Sequence, residues 1–171
     1  EVPVIGVIGG ATMGGALELA SACDWRIAAD SATFAMPAAR LGVVYAPEGL
    51  RRFISLLGPA RTRQLFLGGA RIDAARAFAI GLVDDLVPAD RLWAVARAAA
   101  TDVLRGAPGA VAGTRAAIAA ITGPLDDLVR ANIGVIRETA YRSDEFREGL
   151  AAFHERRDPG WASPNPEPPP D

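Results

Sequence analysis

GGATMGGALELASACD, residues 9–24, is the stretch on which the reading of the fold turns. Four glycines precede an alanine- and leucine-rich segment in which Glu18 is the one charge before Asp24. A phosphate loop of the G-x-x-x-x-G-K-[ST] kind needs a lysine, and here Gly14 is followed by Gly15 and Ala16. The dinucleotide spacing G-x-G-x-x-G is also missing from Gly6, Gly9, Gly10, Gly14 and Gly15. Nucleotide binding by this loop is therefore disfavoured. Two readings remain. In the first, the glycines only let a helix pack close to a strand, and Glu18 is an acid favoured by the helix dipole. In the second, the amides of Gly14 and Gly15 start the helix without intrahelical partners. Such amides can hold a thioester oxygen as it becomes an enolate. Glu18, one turn on and on the same face, can then move a proton at the neighbouring carbon. The second reading also explains why a carboxylate stands between Leu17 and Leu19, where burial without a partner is costly. It places the glycine joint at the border of the main concave site.

Upstream, Val2 to Ile8 is apolar on both faces and β-branched, which predicts a strand in the middle of a sheet. Downstream, Gly14 to Ala22 predicts a helix, and Trp25–Ala29 and Thr33–Met36 predict short strands. Pro47 and Glu48 open a helix that ends at Gly58-Pro59, and a second helix runs from about Ala60 to Leu67. In GGARIDAARAFAIGLVDDLVP, residues 68–88, Asp73 caps a helix that stops at Gly81, and a strand reaches Val87. From Ala89 the apolar period becomes 3.6. Leu92, Val95, Ala96, Ala99 and Val103 make one stripe, and Leu125, Leu128, Val129, Ile133 and Ile136 another. Helices are expected near 90–105, 108–121, 124–141 and 143–156. The proline-rich tail, residues 159–171, is expected to be disordered. The resulting organisation is a core over 1–88 and a helical region over 89–158.

The composition narrows the chemistry. Half of the 171 residues are hydrophobic, the net charge is −2, and all 18 basic residues are arginine. No basic surface argues for nucleic acid, and no Schiff-base lysine exists in this chain. One cysteine (Cys23) and one histidine (His154) leave no zinc cluster and no Ser-His-Asp or Cys-His device. No metal or redox cofactor is expected. No apolar run is long enough to span a bilayer, so no membrane association is expected. A cytoplasmic setting follows as the expectation. The chain opens at Glu1 straight into an apolar strand, which reads as the continuation of a longer protein.

PVIGVIGGATMGGALELASACDWRIAADSATFAMPAARLGVV, residues 3–44, resembles the central signature of the crotonase (enoyl-CoA hydratase/isomerase) superfamily. RTRQLFLGGARIDAARAFAIGLVDDLVP and EGLAAFHERRDPGW resemble its later segments, so the likeness covers nearly all of residues 2–161. It implies an α/β fold: a partial crotonase-like ββα core followed by a C-terminal helical trimerisation region. It also implies an enzyme acting on acyl-CoA, as a homotrimer or hexamer, with coenzyme A entering as part of the substrate. By position, Gly15 matches the glycine whose amide forms half of the oxyanion hole, with Gly14 beside it. Glu18 matches the first of the two hydratase glutamates. The second would follow the proline of Phe34-Ala-Met-Pro37-Ala38, where this chain has Ala38. Glu48 lies where a family loop lines the acyl pocket, and it either replaces the missing acid or is a first-turn helix acid. Arg156 and Arg157 match basic residues that meet the CoA phosphate, or they are a solvated helix end. Phe153 and Trp161 read as packing residues. The other half of the oxyanion hole and much of the CoA cleft are expected from a preceding portion of the protein. The resemblance implies hydration or double-bond migration of an enoyl thioester through an enolate, with a lean toward isomerisation. Because of Ala38, an acyl-CoA-binding protein with weak or no catalysis stays open as the alternative.

Overall fold

The computed structural model describes residues 2–41, 43–122 and 127–161, with backbone alone for 127–130. The chain divides into two compact units, Val4–Ala98 and Ala99–Asp171 together with Glu1–Pro3. The fold is mixed α/β, in agreement with the sequence reading.

In the first unit the first four strands of the chain alternate between two sheets. Strand β1 (Ile5–Ile8) enters one sheet, and β2 (Ala11–Met13), helix α1 (Gly15–Ser21) and strand β3 (Trp25–Ala29) follow. Next come β4 (Thr33–Ala35), the long helix α2 (Pro47–Gly68), β5 (Ile72–Asp73), helix α3 (Ala74–Ala79) and β6 (Asp85–Val87). The order β1-β3-β6 makes a parallel sheet, and β2-β4-β5 makes a second one in which β5 runs antiparallel. Each early turn of the chain therefore gives one strand to each sheet before a helix returns it. β1 aligns Ile5 with Trp25 and Ile8 with Ala28, and β3 aligns Ile27 with Asp85.

Val2 to Ile8 was expected in the middle of a sheet; within the described residues β1 pairs with β3 alone. β1 lies at an edge of its sheet among the described residues, and Ile5, Gly6 and Val7 are only half-buried. The middle place belongs to β3, where Arg26, Ile27, Ala28 and Ala29 are all buried. An apolar strand reports burial of its faces, whereas central position depends on pairing of both backbone edges. Strands β2 and β5 were not expected at all. Three residues beside glycines, or two before a helix cap, are too short to show period 2.

The expected punctuation is present. Gly58 (φ 74) breaks α2 just before Pro59, and buried Thr62 donates its hydroxyl to the Gly58 carbonyl at 2.8 Å. Asp73 caps α3 by accepting the Arg76 amide at 2.7 Å. The core of this unit gathers Leu17, Ile8, Ala28, Phe34, Met36, Phe53, Leu57, Phe66, Leu82 and Val83. A polar clamp joins β3 to the segment leading into β6. Buried Arg26 meets the Asp84 carboxylate at 2.8 Å and donates to the Cys23 carbonyl at 2.7 Å. The Trp25 indole N–H donates to the Asp85 carboxylate at 2.6 Å.

Helix α4 (Leu92–Leu104) contributes residues to both units, and its stripe buries Leu92, Ala96 and Ala99 as the period predicts. The second unit continues with α5 (Pro108–Ile121), α6 (Asp127–Arg142) and α7 (Asp144–Glu155). Ser143 caps α7 by accepting the Phe146 amide at 3.1 Å. Ile133 and Ile136 are half-buried on α6. Leu125, and the side chains of Leu128 and Val129, lie outside the described residues, as does the tail from residue 162. The tail's first residues are placed. Trp161 donates its indole N–H to the Arg105 carbonyl at 3.1 Å and covers Gly149. Phe153 does not pack as expected and stands 79% exposed.

Candidate active site

Helix α1 begins at Gly15, with Gly14 as its N-terminal cap at φ +54, a left-handed conformation that glycine adopts without strain. The two glycine amides have different fates. Gly14 donates its N–H to the Ala35 carbonyl at the end of β4, at 3.0 Å. The expectation that both amides face a ligand is therefore corrected: a donor already spent on the core framework cannot also stabilise an oxyanion. Gly15 is exposed, and its N–H, at the first helical position, meets no acceptor among the described residues. It is the donor that remains.

Glu18 follows one turn later, and its N–H closes the first helical hydrogen bond to the Gly14 carbonyl at 3.0 Å. Leu17, Ala20 and Ser21 turn into the core, so Glu18 stands at the margin with its side chain 34% exposed. Its carboxylate lies over the bare Cα of Gly49 in the first turn of α2. A Cβ placed on Gly49 would come within 2.7 Å of Glu18 Oε1. Arg52, three residues further along that helix, brings Nη1 to 3.8 Å from the same oxygen. Tyr45, just before α2, flanks the group, and its Cδ1 stands 3.5 Å from the same Cβ position on Gly49. Sequence reasoning missed Tyr45, Gly49 and Arg52. The Gly49–Arg52 spacing on one helix face was visible, but that this face meets Glu18 of α1 was not.

Glu48 is not part of this cluster. It is exposed at the second position of α2, after Pro47, and pairs with no group among the described residues. The helix turn that points Gly49 and Arg52 at Glu18 carries Glu48 about 100° away around the axis. Ala38 is buried in the core, 6% exposed, so that position offers no polar side-chain atom.

The two C-terminal arginines also separate. Arg157 donates to Glu148 through Nη1 at 2.6 Å and Nη2 at 3.0 Å, and through Nε to Glu155 at 2.6 Å. Those bonds, first the one from Arg157 and then the Gly160 amide, hold the Glu148 carboxyl down at about 2. The Arg157 fork is thus occupied by two carboxylates of α7, Glu148 and Glu155. Arg156 is exposed in a left-handed conformation (φ 55) at the C-cap of α7.

A groove of about 630 Å³ lies within the helical unit, among Ala117, Ile121, Ile136, Phe146, Leu150 and Trp161. Its lining is apolar, and its one carboxylate, Glu145, accepts the Gly109 amide at 2.6 Å. The chemistry-bearing groups are those around Glu18. No helix among the described residues is long and apolar enough to cross a membrane.

Comparison with known proteins gives a consistent result. The sequence model of the enoyl-CoA hydratase/isomerase family matches residues 1–164. A carnitinyl-CoA dehydratase of Citrobacter koseri is 35% identical over 165 residues, covering 94% of this chain and 63% of that protein. The crystal structure of an enoyl-CoA hydratase from Bacillus anthracis superposes with a TM-score of 0.87 at 33% identity, over 94% of this chain and 63% of that one. An enoyl-CoA hydratase/carnithine racemase from Magnetospirillum magneticum gives a TM-score of 0.85 at 34% identity, over 94% and 60%. The chain thus spans under two thirds of the length of these relatives.

Proposed function

Because the chain belongs to the enoyl-CoA hydratase/isomerase family, we propose that it processes acyl-CoA thioesters with Glu18 as its single acid–base group. In this reading the Gly15 amide donates to the thioester oxygen as it becomes an enolate oxygen, stabilisation that grows toward the transition state. Glu18 takes a proton from the carbon beside that carbonyl and returns it two carbons away. The electron pair left on the first carbon spreads through the dienolate, so the double bond of a 3-enoyl thioester moves to the 2-position. Coenzyme A arrives on the substrate, and for its phosphate Arg156 is the open guanidinium of the terminal pair.

One observation supports the preference for isomerisation: among the described residues Glu18 is the carboxylate over Gly49 and beside Arg52, while Glu48, next to Gly49 in the first turn of α2, is exposed and unpaired. Hydration by a two-acid mechanism needs a second carboxylate facing the first, and Ala38 supplies none. A binding protein without catalysis is the second reading, favoured by the same buried alanine.

The test compares Glu18→Gln and Glu48→Gln in the full-length protein on 2-enoyl and 3-enoyl thioesters. Glu18→Gln should lower turnover by about 10²–10⁴-fold, the usual contribution of a general acid–base group. Acyl-CoA binding should persist, and Glu48→Gln should leave turnover unchanged. Loss of activity in both variants means a working pair and returns the reading to hydration. Turnover unaffected by either variant leaves only binding.

A further inference from the structure

The hydroxyl of Tyr45 is a polar group that the acid–base reading leaves unused. Tyr45 is half-buried, and its ring meets Phe66 edge-on, with centroids 5.3 Å apart and planes at 85°. Phe66 in turn meets fully buried Phe53 edge-on at 5.0 Å and 77°. Two successive edge-to-face contacts hold the ring in place. Its hydroxyl meets no hydrogen-bond partner among the described residues, so the donor is open to a ligand.

Two bare Cα atoms show where the phenol lies. Its Cδ1 is 3.5 Å from the position a Cβ on Gly49 would take, the position only 2.7 Å from Glu18 Oε1. Its Oη is 3.9 Å from the position a Cβ on Gly14 would take. The Gly15 nitrogen lies about 2.5 Å from that last position, so Oη and this nitrogen are at most about 6.4 Å apart. Two donors that each stand about 2.7–3.1 Å from one oxyanion are themselves up to about 6 Å apart. The phenol and the open Gly15 amide can therefore address the same oxygen. Burial, and then the negative charge of Glu18, push the Tyr45 hydroxyl above its ordinary value. At neutral pH it is an uncharged donor.

We propose that Tyr45 is a side-chain donor of the oxyanion site, its hydroxyl hydrogen-bonding the thioester oxygen beside the Gly15 amide as negative charge gathers there. The proposal rests on the acyl-CoA reading above and deepens it by adding a catalytic residue to the same site. As Glu18 takes the C2 proton, the C–H electron pair becomes the C1–C2 double bond and the carbonyl pair moves onto oxygen. One negative charge thus leaves the carboxylate and arrives on the thioester oxygen. The phenol stands at both ends of that transfer, beside the Glu18–Gly49 contact and beside the glycine turn. A hydroxyl turns about its C–O bond, so its hydrogen follows the charge while the ring stays on Phe66. Tyr45 gives up no proton. Its bond strengthens toward the transition state, and so it raises kcat rather than tightening substrate binding.

The experiment uses Tyr45→Phe, which keeps the ring on Phe66 and removes only the hydroxyl. In the full-length protein, kcat on a 3-enoyl-CoA should fall about 10- to 100-fold, the worth of a hydrogen bond to a charged group. The Kd for a saturated acyl-CoA should stay within about 2-fold. A loss carried by Kd, or no loss in kcat, overturns the proposal. A 3-oxoacyl-CoA gives a readout that does not need turnover, because its bound enolate absorbs in the ultraviolet and forms without a base from the protein. At one fixed pH the variant should hold about 10-fold less enolate than the unsubstituted protein. The same ratio should appear when both proteins carry Glu18→Gln, since the phenol touches the enolate oxygen and does not act through the carboxylate. Equal enolate in the two proteins, a ratio that disappears with Glu18→Gln, or failure to bind the 3-oxoacyl thioester overturns it equally. Where the unsubstituted protein turns over no thioester, the enolate measurement decides alone. Glu18→Gln separates the two readings. If it leaves turnover intact while Tyr45→Phe still lowers the bound enolate, the single-base reading fails and Tyr45 stands.

Discussion

Glu18 can lie flat over α2 because residue 49 has no side chain. Gly49→Ala places a methyl 2.7 Å from Glu18 Oε1, and the end of that flexible side chain is what must move. Alanine is the better helix former by about 1 kcal/mol, so the melting temperature should hold or rise. Turnover should nonetheless fall by about 10-fold or more, because a displaced base loses its alignment with the substrate. Thermal melts paired with kcat measurements check this, and unchanged kcat would remove Gly49 from the site. At this scale the helix start at Gly15 and the part-buried place of Glu18 were legible in the sequence, since an isolated acid among leucines and a pair of glycines are local signals. Gly14 misled for a physical reason. Its positive φ was foreseeable, but the bond from its amide to Ala35 depends on a strand too short to announce itself. Tyr45 carries no local signal, because its meaning comes from Glu18, Gly14 and Phe66, which only the fold brings to it.

Among the elements, β3 depends most on a single polar partner. Arg26 is 6% exposed, and its charge is answered by Asp84, which also accepts the Arg26 amide at 2.8 Å. Asp84→Ala leaves a buried guanidinium without its counter-charge and should destabilise the first unit by about 2–4 kcal/mol. Replacing both partners, Arg26→Met with Asp84→Ala, should recover part of that loss. Denaturant titrations of the single and double variants decide the matter, and additive losses would count against the clamp. Asp73 and Gly58 were read correctly because caps and breaks are local. The Arg26–Asp84 clamp was not, since 58 residues separate its ends. Likewise the two-sheet arrangement was hidden in β2 and β5, whose pairing is set by β4 rather than by their own composition.

For the molecule as a whole, the helical unit leaves more apolar surface uncovered than its own packing can use. Ile118, Val135, Leu150 and Phe153 are 55%, 63%, 49% and 79% exposed, and the apolar groove runs beside them. Surfaces of this kind mark association, and the expected partner is a second copy of the protein, in trimers or paired trimers. Sedimentation of the full-length protein at micromolar concentration should show an oligomer, which Leu150→Asp combined with Phe153→Asp should weaken. A monomer before substitution would remove this expectation. The apolar stripes were visible in sequence, although how much of them this chain covers required the structure.

The chain also carries its own optical labels. Trp25 gives its N–H to Asp85 within the first unit, and Trp161 gives its N–H to Arg105 within the second, whereas Trp93 is 65% exposed. Each unit therefore holds one indole fixed by a hydrogen bond that melting of that unit must break. With Trp93 replaced by phenylalanine, the emission of the two remaining indoles can be told apart by removing one or the other. A single chromophore then reports whether strands and helices let go together or in turn.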